Sequence, residues 1–425
     1  MVRRSVGVFL VAIMLLSSIC LVSPVAQAAD GPRLNSYPIV LVHGFIGWGR
    51  NEVLGYKYWG GFGDIQEDLN RQGFICRTAA VGPVSSSWDR ACELYAQIIG
   101  TTTDYGKAHS ERYGHQRFGR IYTQPLVADW GQTGANGKIK KIHLICHSHG
   151  GQTGRMLIHL LENGASEEIA STPANEMSPL FAGGKQWVAS QTLVTAPCDG
   201  TTLATRVEQL IPAAQQIFAL VAAALGQTGQ NLYDFKLDQW GLKRNPGESM
   251  ASYSNRVWSS SIWKSTKDIS SWDLSPEGAR EFNGKVKASP NVYYFTLAGE
   301  ATYKNIFTGT QIPELTMNPG FLVFTFEMGK YTQDGSNGKV VVDKSWWQND
   351  GVINTNSADG PTIYPAGSVP DTIVQYNGIP QIGAFNYMGL WDHYDHFDLV
   401  GMPFLNSSVT NWYRSQAALI YSLPN

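Results

Sequence analysis

The stretch "LICHSHGGQT" at residues 144–153 places one serine between two histidines and directly before a glycine pair. A serine hydroxyl is a weak nucleophile until a neighbouring base removes its proton, so Ser148 is a candidate for acyl transfer. The stretch departs from the pattern GxSxG only at Cys146, a small residue that a tight turn can still accommodate. The alternative is a serine in an ordinary strand–helix turn. We predict that Ser148 is the nucleophile.

The two histidines that flank Ser148 are not predicted to be its base. Side chains directly before and after a serine in a tight turn point away from its oxygen, and the members of a triad converge from distant loops. His147 is expected to pack beside the turn. The backbone N–H of His149 follows the nucleophile directly, which is where an oxyanion donor is expected.

The base and the acid are expected downstream, because hydrolases with such a serine turn follow the chain order serine, acid, histidine. His393 and His396, both in "DHYDHFD", qualify as the base, and composition does not separate them. Asp350 in the polar turn of "WWQNDGVINT" is the candidate acid. Three other aspartates lie nearby and remain alternatives: Asp343, Asp359 and Asp371.

Two strand-and-turn segments are expected to position these groups. "YPIVLVHGFIGWG" is an apolar run, Ile39 to Val42, that ends abruptly at His43 and Gly44. "KIHLICHSHGGQTGRMLIHLLENG" reads as a strand, a tight turn and an amphipathic helix that stops at residues 163–164. A strand followed by a serine turn and a helix lifts the serine oxygen above a sheet edge. These segments indicate an α/β fold.

Composition sets the class of protein. The chain has 425 residues, 43% hydrophobic and 16% charged, which is typical of one large globular α/β domain or two ordinary ones. Four cysteines lie outside residues 1–28 and show no CxxC pairing, so disulfides are possible but are not expected to define the scaffold.

The N-terminus reads as a leader peptide. Basic "MVRR", an apolar run and "AQA" before Ala29 predict a signal peptide over residues 1–28 and a secreted protein. Its removal takes away Arg3 and Arg4 and changes the formal net charge from −2 to −4, which argues against a nucleic-acid partner. No second apolar run is long enough for a stable membrane anchor.

Several longer blocks resemble a known family, and together they run from about Tyr37 to about Pro403. The blocks are "PIVLVHGFIGWGR", "YKYWGG", "VGPVSSSWDRACELYAQIIG", "TDYGKAHSERYGHQRFGR", "YDFKLDQWGLKRNPGES" and "NDGVINT". They resemble the secreted thermoalkalophilic lipases of Gram-positive bacteria (the Geobacillus type), to which staphylococcal lipases and clostridial esterases and polyester hydrolases are similar. The resemblance implies an α/β-hydrolase fold over residues 29–425, with a central mostly parallel sheet, an inserted zinc-binding region and a helical lid.

The resemblance also implies roles for the candidate residues. The nucleophile falls on Ser148, the acid on Asp350 and the base on His396, with the backbone N–H groups of Phe45 and His149 forming the oxyanion hole. The implied function is secreted hydrolysis of carboxylic esters through an acyl-enzyme, on lipid at a water interface or on a polymer. One alternative is a short-chain esterase or polyester hydrolase, and another is a non-catalytic secreted binding protein on the same fold. The oligomeric state is left open.

Two metal sites follow from the same resemblance. Asp89, His109, His115 and Asp268 match the family's zinc ligands, and a four-ligand set of imidazoles and carboxylates suits a closed structural zinc site. The zinc-binding insert is predicted at about 85–125 together with 230–275. The calcium site matches only in part, at the Thr316 carbonyl and at residue 398 (Asp398). No acidic residue follows near "GMPF", so a weak or absent calcium site is predicted.

The predicted lid spans about residues 203–235. Apolar residues recur there at helical spacing: Val207, Leu210, Ile211, Ala214, Ile217, Phe218, Val221 and Ala222. A plain core helix gives the same pattern. The position directly after "TAPCDGTTL", where the family carries its lid, favours a helix that closes over an apolar acyl pocket, and Pro212 is expected to kink it.

Overall fold

Strand β1 (Ile39–Val42) is a run of four apolar residues buried along its whole length. Ile39 and Leu41 face one hydrophobic core, and Val40 and Val42 face a second one. A β-branched strand that is covered on both faces is typical of the middle of a parallel sheet. The sheet therefore lies between two apolar layers.

The computed structural model describes residues 32–205, 211–212, 214–216 and 233–424. The predicted signal peptide at 1–28 lies outside the described residues, and so does most of the predicted lid at 203–235. Within the described ranges, no helix combines the length and the apolar content that a bilayer crossing requires.

Seven strands form the central sheet, in the order β12-β13-β7-β6-β5-β1-β2. Their bounds are β1 Ile39–Val42, β2 Cys76–Ala79, β5 Ile142–His147, β6 Val188–Val194, β7 Tyr293–Glu300, β12 Ile373–Gln375 and β13 Phe385–Asp392. All neighbouring pairs run parallel, which confirms and sharpens the expectation of a mostly parallel sheet. Three antiparallel pairs lie outside it: β3 Thr102–Asp104 with β4 Phe118–Ile121, β8 Thr302–Lys304 with β9 Gln311–Pro313, and β10 Gln333–Asp334 with β11 Val341–Val342.

Helices connect the strands. They are α1 Ile65–Arg71, α2 Ser87–Ile99, α3 Lys107–Tyr113, α4 Gly150–Asn163, α5 Ser166–Ser171, α6 Met250–Trp258, α7 Ile262–Ser265, α8 Ser270–Asp273, α9 Pro276–Lys285, α10 Leu322–Met328 and α11 Ser407–Tyr421. The predicted strand, turn and helix around residue 148 are confirmed, including the helix end at Asn163. Helix α2 begins where the side chain of Ser86 accepts the N–H of Asp89, and it ends at Gly100 in a left-handed conformation.

Parallel strands all end at the same side of a sheet, which we call the carboxyl edge. β5 ends directly before Ser148, β7 ends at Glu300, and β13 ends four residues before His396. Loops that follow these strands therefore meet at one edge, where open α/β sheets bind their ligands.

The four cysteines of the described part are buried free thiols: Cys76, Cys92, Cys146 and Cys198. Cys76 and Cys146 lie in strands β2 and β5, Cys92 lies on α2, and Cys198 lies in the loop after β6.

Candidate functional site

Ser148 occupies a strained turn at the carboxyl end of β5. Its φ is 56°, a left-handed value that few residues other than glycine adopt, and its N–H donates to the Val194 carbonyl at 3.0 Å. A Cβ on Gly44 would lie 2.5 Å from the Ser148 Cβ, and one on Gly150 would lie 2.3 Å from the Val42 carbonyl. The turn is therefore held between the ends of β1 and β5, which is the geometry of a nucleophile elbow.

Cys146 fits the turn because the helix opposite it carries a glycine. A Cβ added to Gly154 of α4 would lie 3.0 Å from the Cys146 sulfur. The side chain that departs from the GxSxG pattern thus fills space that Gly154 leaves open.

Asp350 and His396 form a buried pair at the carboxyl edge. His396 Nδ1 lies 2.8 Å from Asp350 Oδ2, and the His396 N–H donates to the Asp350 carbonyl at 2.9 Å. Thr195 Oγ1 donates to the same Oδ2 at 2.6 Å, while the N–H groups of Val352 and Ile353 donate to Oδ1. The carboxylate is thereby fixed in place. Its contact with Nδ1–H selects the tautomer in which Nε2 is the proton acceptor.

The structure separates the two candidate bases. His393 is half exposed, and its Nδ1 lies 2.8 Å from Glu314 Oε1 at the surface. Of the alternative acids, Asp343 caps a short helix by accepting the Ser345 N–H, and Asp371 accepts the Ala288 N–H. The third, Asp359, follows none of the central strands directly, and burial raises its pKa to about 6.

His147 contacts the loop that carries His396. The two rings lie with their centroids 4.4 Å apart, and His147 Nε2 lies 3.1 Å from the His396 carbonyl. His147 Nδ1 lies 2.6 Å from the hydroxyl of Tyr58, and that hydroxyl accepts the N–H of Gly44 at 3.0 Å.

The donor and the acceptor in each of these hydrogen bonds can be assigned from the carbonyl of His396 at one end of the series. A carbonyl only accepts, so His147 Nε2 carries the proton and Nδ1 accepts the proton of Tyr58. Gly44 therefore donates to Tyr58, Tyr58 to His147, and His147 to His396. Burial lowers the pKa of His147 well below its usual value, with the neighbouring His396 adding to the effect, so the ring stays neutral. Sequence reasoning expected only packing here.

Arg90 is a second residue that stabilises the site through buried hydrogen bonds, and the sequence did not predict this role. Its guanidinium is fully buried, where Nη1 donates to the Gly82 carbonyl at 2.7 Å and Nη2 donates to the His43 carbonyl. Nε donates to Thr153 Oγ1 on α4 at 2.7 Å. The segment that leads into Phe45 is thus tied to the helix that follows the serine. Arg90 lies next to the predicted ligand Asp89, but nothing in the local pattern marks it as a clamp.

His149 directs its side chain away from the serine. Its Nε2 lies 3.1 Å from Ser87 Oγ, and burial lowers the pKa of the ring well below its usual value. The residue directly precedes α4, whose first N–H groups have no acceptor within the helix. These contacts fit the predicted role, which uses only the backbone of His149.

The four predicted zinc ligands lie together. Asp89 on α2, His109 on α3, His115 just after α3 and Asp268 before α8 offer ligand atoms that all lie within 4.8 Å of one another. His109 Nε2 lies 3.2 Å from Asp268 Oδ1, and His115 Nε2 lies 3.1 Å from Asp268 Oδ2. Four buried atoms there lack a hydrogen bond of acceptable geometry among the described residues: Asp89 Oδ1, His109 Nε2, His115 Nε2 and Asp268 Oδ2.

Surrounding groups orient these ligands. Gln239 Nε2 donates to Asp89 Oδ2 at 2.8 Å, and His115 Nδ1 lies 2.9 Å from the Gln116 carbonyl. The first contact leaves Oδ1 for another partner, and the second leaves the lone pair of His115 Nε2 directed inward. Burial, together with the nearby Asp268 carboxylate, raises the pKa of Asp89. A buried set of two imidazoles and two carboxylates fits a cation, and zinc in particular.

The predicted calcium residues do not form such a group. Asp398 Oδ2 accepts the Asp395 N–H at 3.1 Å, and the Thr316 hydroxyl lies 3.5 Å from Glu314 Oε2. In the described part of the chain, neither of the two groups of three or more clustered His, Cys, Asp or Glu ligands includes Asp398. A weak or absent calcium site stays a prediction.

A parallel sheet with a strained serine after one strand, and a histidine–aspartate pair at the same edge, fits an α/β-hydrolase-like fold. A family model described as "Lipase-like, C-terminal domain" matches residues 35–417. The chain therefore belongs to that lipase family, which confirms the resemblance read from the sequence blocks.

Solved structures agree over the whole fold. EstA from Clostridium botulinum has 43% sequence identity and a TM-score of 0.85, with 98% of each chain covered. Lipase 1 from Pelosinus fermentans has 49% identity and a TM-score of 0.84, covering 92% of this chain and 100% of that one. Among curated proteins, Lipase 1 of Staphylococcus aureus (strain MRSA252) is 37% identical over 379 residues, covering 87% of this chain and 52% of that protein. The chain thus spans about half the length of the curated relatives it matches.

Proposed function

We propose that the chain is a serine hydrolase of carboxylic esters with apolar acyl groups. The observation that carries the proposal is the 2.8 Å contact between His396 and Asp350 at the edge where Ser148 sits in its strained turn. The similar proteins include two that are named as lipases and one that is named EstA. These names support the same class of reaction.

The reaction proceeds by acyl transfer. His396 Nε2 takes the proton of Ser148 as its oxygen attacks the ester carbonyl, and Asp350 stabilises the imidazolium that forms. The backbone N–H groups of Phe45 and His149 hold the oxyanion, at roughly 3–4 kcal/mol for each donor. His396 then returns the proton to the leaving alcohol. Water repeats the attack on the acyl-enzyme and releases the acid.

An apolar cavity of about 210 Å³ supports the choice of acyl group. Thr202, Leu203 and Pro212 line one part of it. Helix α10 contributes most of the other part, through Val323, Phe324, Glu327 and Met328. Because Thr202 donates to Asn354, close to the acid loop, the cavity lies at the carboxyl edge. Apolar lining with few polar groups suits an acyl chain.

A fluorophosphonate probe tests the proposal directly. We expect one label per chain on Ser148, lost in Ser148→Ala, together with turnover of p-nitrophenyl butyrate. His396→Ala should be as inactive as Ser148→Ala, and the double variant scarcely worse, because triad members act as a unit. His393→Ala should stay active. A chain that neither labels nor turns over esters would instead be a binding protein on this fold.

Chain-length preference decides between the two enzymatic alternatives. A lipase should hydrolyse emulsified triolein and p-nitrophenyl palmitate, whereas a short-chain esterase should lose activity above the butyrate ester. Polyester film weight loss would identify the polymer-directed alternative.

We further propose that Asp89, His109, His115 and Asp268 hold one structural zinc ion. The ligands come from segments up to about 180 positions apart, so the ion would crosslink the insert to the sheet. Zinc, when bound, supplies ligand bonds that only the folded site can offer, which adds to folding stability. Elemental analysis of protein supplied with zinc should give about one ion per chain, and the absence of zinc would contradict the assignment.

Secretion is also proposed, from the leader-like residues 1–28. N-terminal sequencing of protein recovered from culture medium should begin at Ala29. Retention of the leader in cell-associated protein would contradict the proposal.

A further inference from the structure

The hairpin formed by β8 and β9 carries two large apolar side chains at its turn. Residues 305–310, which we call the tip, read "NIFTGT" and hold no charged residue. Ile306 is 87% exposed and Phe307 is 91% exposed. Isolated exposed apolar residues are ordinary, but two adjacent ones at an uncharged turn form an apolar patch, and such a patch is typical of an interaction surface.

Five of the six backbone N–H groups of the tip have an acceptor within it. Asn305 Oδ1 accepts the N–H groups of Phe307 and Thr308, and the Asn305 carbonyl accepts the Gly309 N–H. The Asn305 N–H donates to the Thr310 carbonyl, and the hydroxyls of Thr308 and Thr310 lie 2.7 Å apart. Moving an unpaired N–H or carbonyl into an apolar phase is costly, and these internal hydrogen bonds lower that cost for the tip.

The hairpin also rises from the carboxyl edge, close to the candidate acid. β8 begins two residues after β7 ends, and the Ala301 N–H donates to the carbonyl of Asn349, which directly precedes Asp350. The Glu314 N–H, just beyond β9, donates back to the Ala301 carbonyl. The base of the hairpin is thus hydrogen-bonded to the loop that holds the candidate acid. An apolar phase in contact with the tip would therefore lie at the carboxyl edge, which also carries Ser148.

We infer that the tip is a lipid-docking element, with Ile306 and Phe307 inserting into the surface of an aggregated ester substrate. This inference rests on the proposed ester hydrolase function, because that function supplies an apolar phase at the carboxyl edge. The tip is separate from the predicted lid at 203–235 and acts on adsorption rather than on opening.

The test measures adsorption apart from catalysis. The full chain carrying Ile306→Ser and Phe307→Ser is compared with wild type for co-sedimentation with dioleoyl phosphatidylcholine vesicles. The matched control carries Val369→Ser and Ile379→Ser. Val369 is 80% exposed and precedes β12 at the opposite edge of the sheet, and Ile379 is 76% exposed in the loop that joins β12 to β13.

We expect the tip variant to lose at least about tenfold in vesicle partitioning and in the rate on emulsified tributyrin at low interfacial area. The control variant should match wild type in both. Turnover of soluble p-nitrophenyl acetate should be the same in all three proteins, since none of the four residues contacts the candidate catalytic groups.

Several results would overturn the inference. These are equal partitioning of tip variant and wild type, equal losses in tip and control variants, no vesicle binding by wild type, and a matching loss on the soluble ester, which would indicate a structural role. A wild-type dimer that the tip substitutions convert to a monomer in size-exclusion chromatography would assign the surface to a second copy and also overturn it. Failure of the proposed hydrolase function is distinguishable, because it appears as no turnover of the soluble ester whatever the partitioning.

Discussion

The imidazole of His147 packs against that of His396 at 4.4 Å and donates a hydrogen bond to the His396 carbonyl. The residue directly before the candidate nucleophile thus holds the loop of the candidate base. His147, which itself transfers no proton, thus helps to fix the position of His396 relative to Ser148.

His147→Ala is expected to lower kcat on p-nitrophenyl butyrate about two- to tenfold, with little change in KM. The reason is the loss of one buried hydrogen bond that fixes the His396 loop. His147→Gln, whose amide reaches the position of Nε2, should restore part of the loss. Stopped-flow or steady-state kinetics provide the measurement, at a temperature where the variants and wild type are all folded.

The control for that experiment is His159→Ala, because His159 lies on the partly exposed side of α4, the helix that follows the serine turn. If His147→Ala retained the full kcat, or if glutamine gave no recovery over alanine, His147 would be no more than packing.

Gln239→Ala should weaken zinc binding about 10- to 100-fold without removing a ligand. Its amide orients Asp89 through a 2.8 Å hydrogen bond, and such outer partners tune metal affinity by this amount. Competition against a chromophoric chelator measures the affinity, and calorimetry should show a lower Tm at limiting zinc. His393→Ala, which alters the surface group of Glu314, Asp392 and His393 instead, should leave the affinity unchanged. Equal affinity in Gln239→Ala and wild type would place the ion elsewhere.

The buried histidine of β5 should make the fold acid-sensitive. His143 is fully buried between Ser190 and Asn35, and burial lowers its pKa to about 3. The unfolded chain protonates it near pH 6.5, so the unfolded state binds more protons between these values and stability falls as the pH drops. The titration of His143 therefore lowers the free energy of unfolding by about 2 kcal/mol between pH 7.5 and pH 5.

His143→Gln removes this titration and should show a smaller loss over the same interval. Urea unfolding at the two pH values provides the comparison, and the difference between variant and wild type is read at each pH. Parallel losses in both proteins would show that His143 takes up no extra proton on unfolding.

The predicted lid lies largely outside the described residues, so its test is kinetic. Phe218→Ala is expected to change the rate on emulsified substrate more than the rate on soluble short esters, because a lid meets the lipid when open. Ile169→Ala removes an exposed apolar side chain from α5 and serves as the control. Equal losses on both substrates with a large fall in Tm would favour a core helix.

Sequence patterns predicted the parts of the molecule that depend on local order. The run Ile39–Val42 and the serine turn at residue 148 both stand where the apolar run, the turn chemistry and the helix end indicated. The pairing of Asp350 with His396 rather than with His393 came from the family resemblance, since composition alone left both histidines open. In the structure His393 bonds Glu314 at the surface, and His396 bonds Asp350 in the interior.

The supporting residues could not be predicted from the sequence, because their hydrogen-bond partners are distant in the chain. Tyr58 meets residue 147, Thr195 meets Asp350, and Gln239 meets Asp89 only once the sheet has formed. Each is a common polar residue in an unremarkable stretch, and no period or spacing marks it. Only the complete tertiary fold brings such residues to the atoms they bind.

The directed chain from Gly44 through Tyr58 and His147 to His396 has a consequence for how the family changes over time. Tyr58 is a useful donor only while an imidazole acceptor faces it, and that imidazole keeps the correct tautomer only while both ends are satisfied. A substitution at either position alone leaves a buried polar group unpaired. Positions 58 and 147 should therefore be inherited as a pair, so that in lineages where one has changed the other has changed with it.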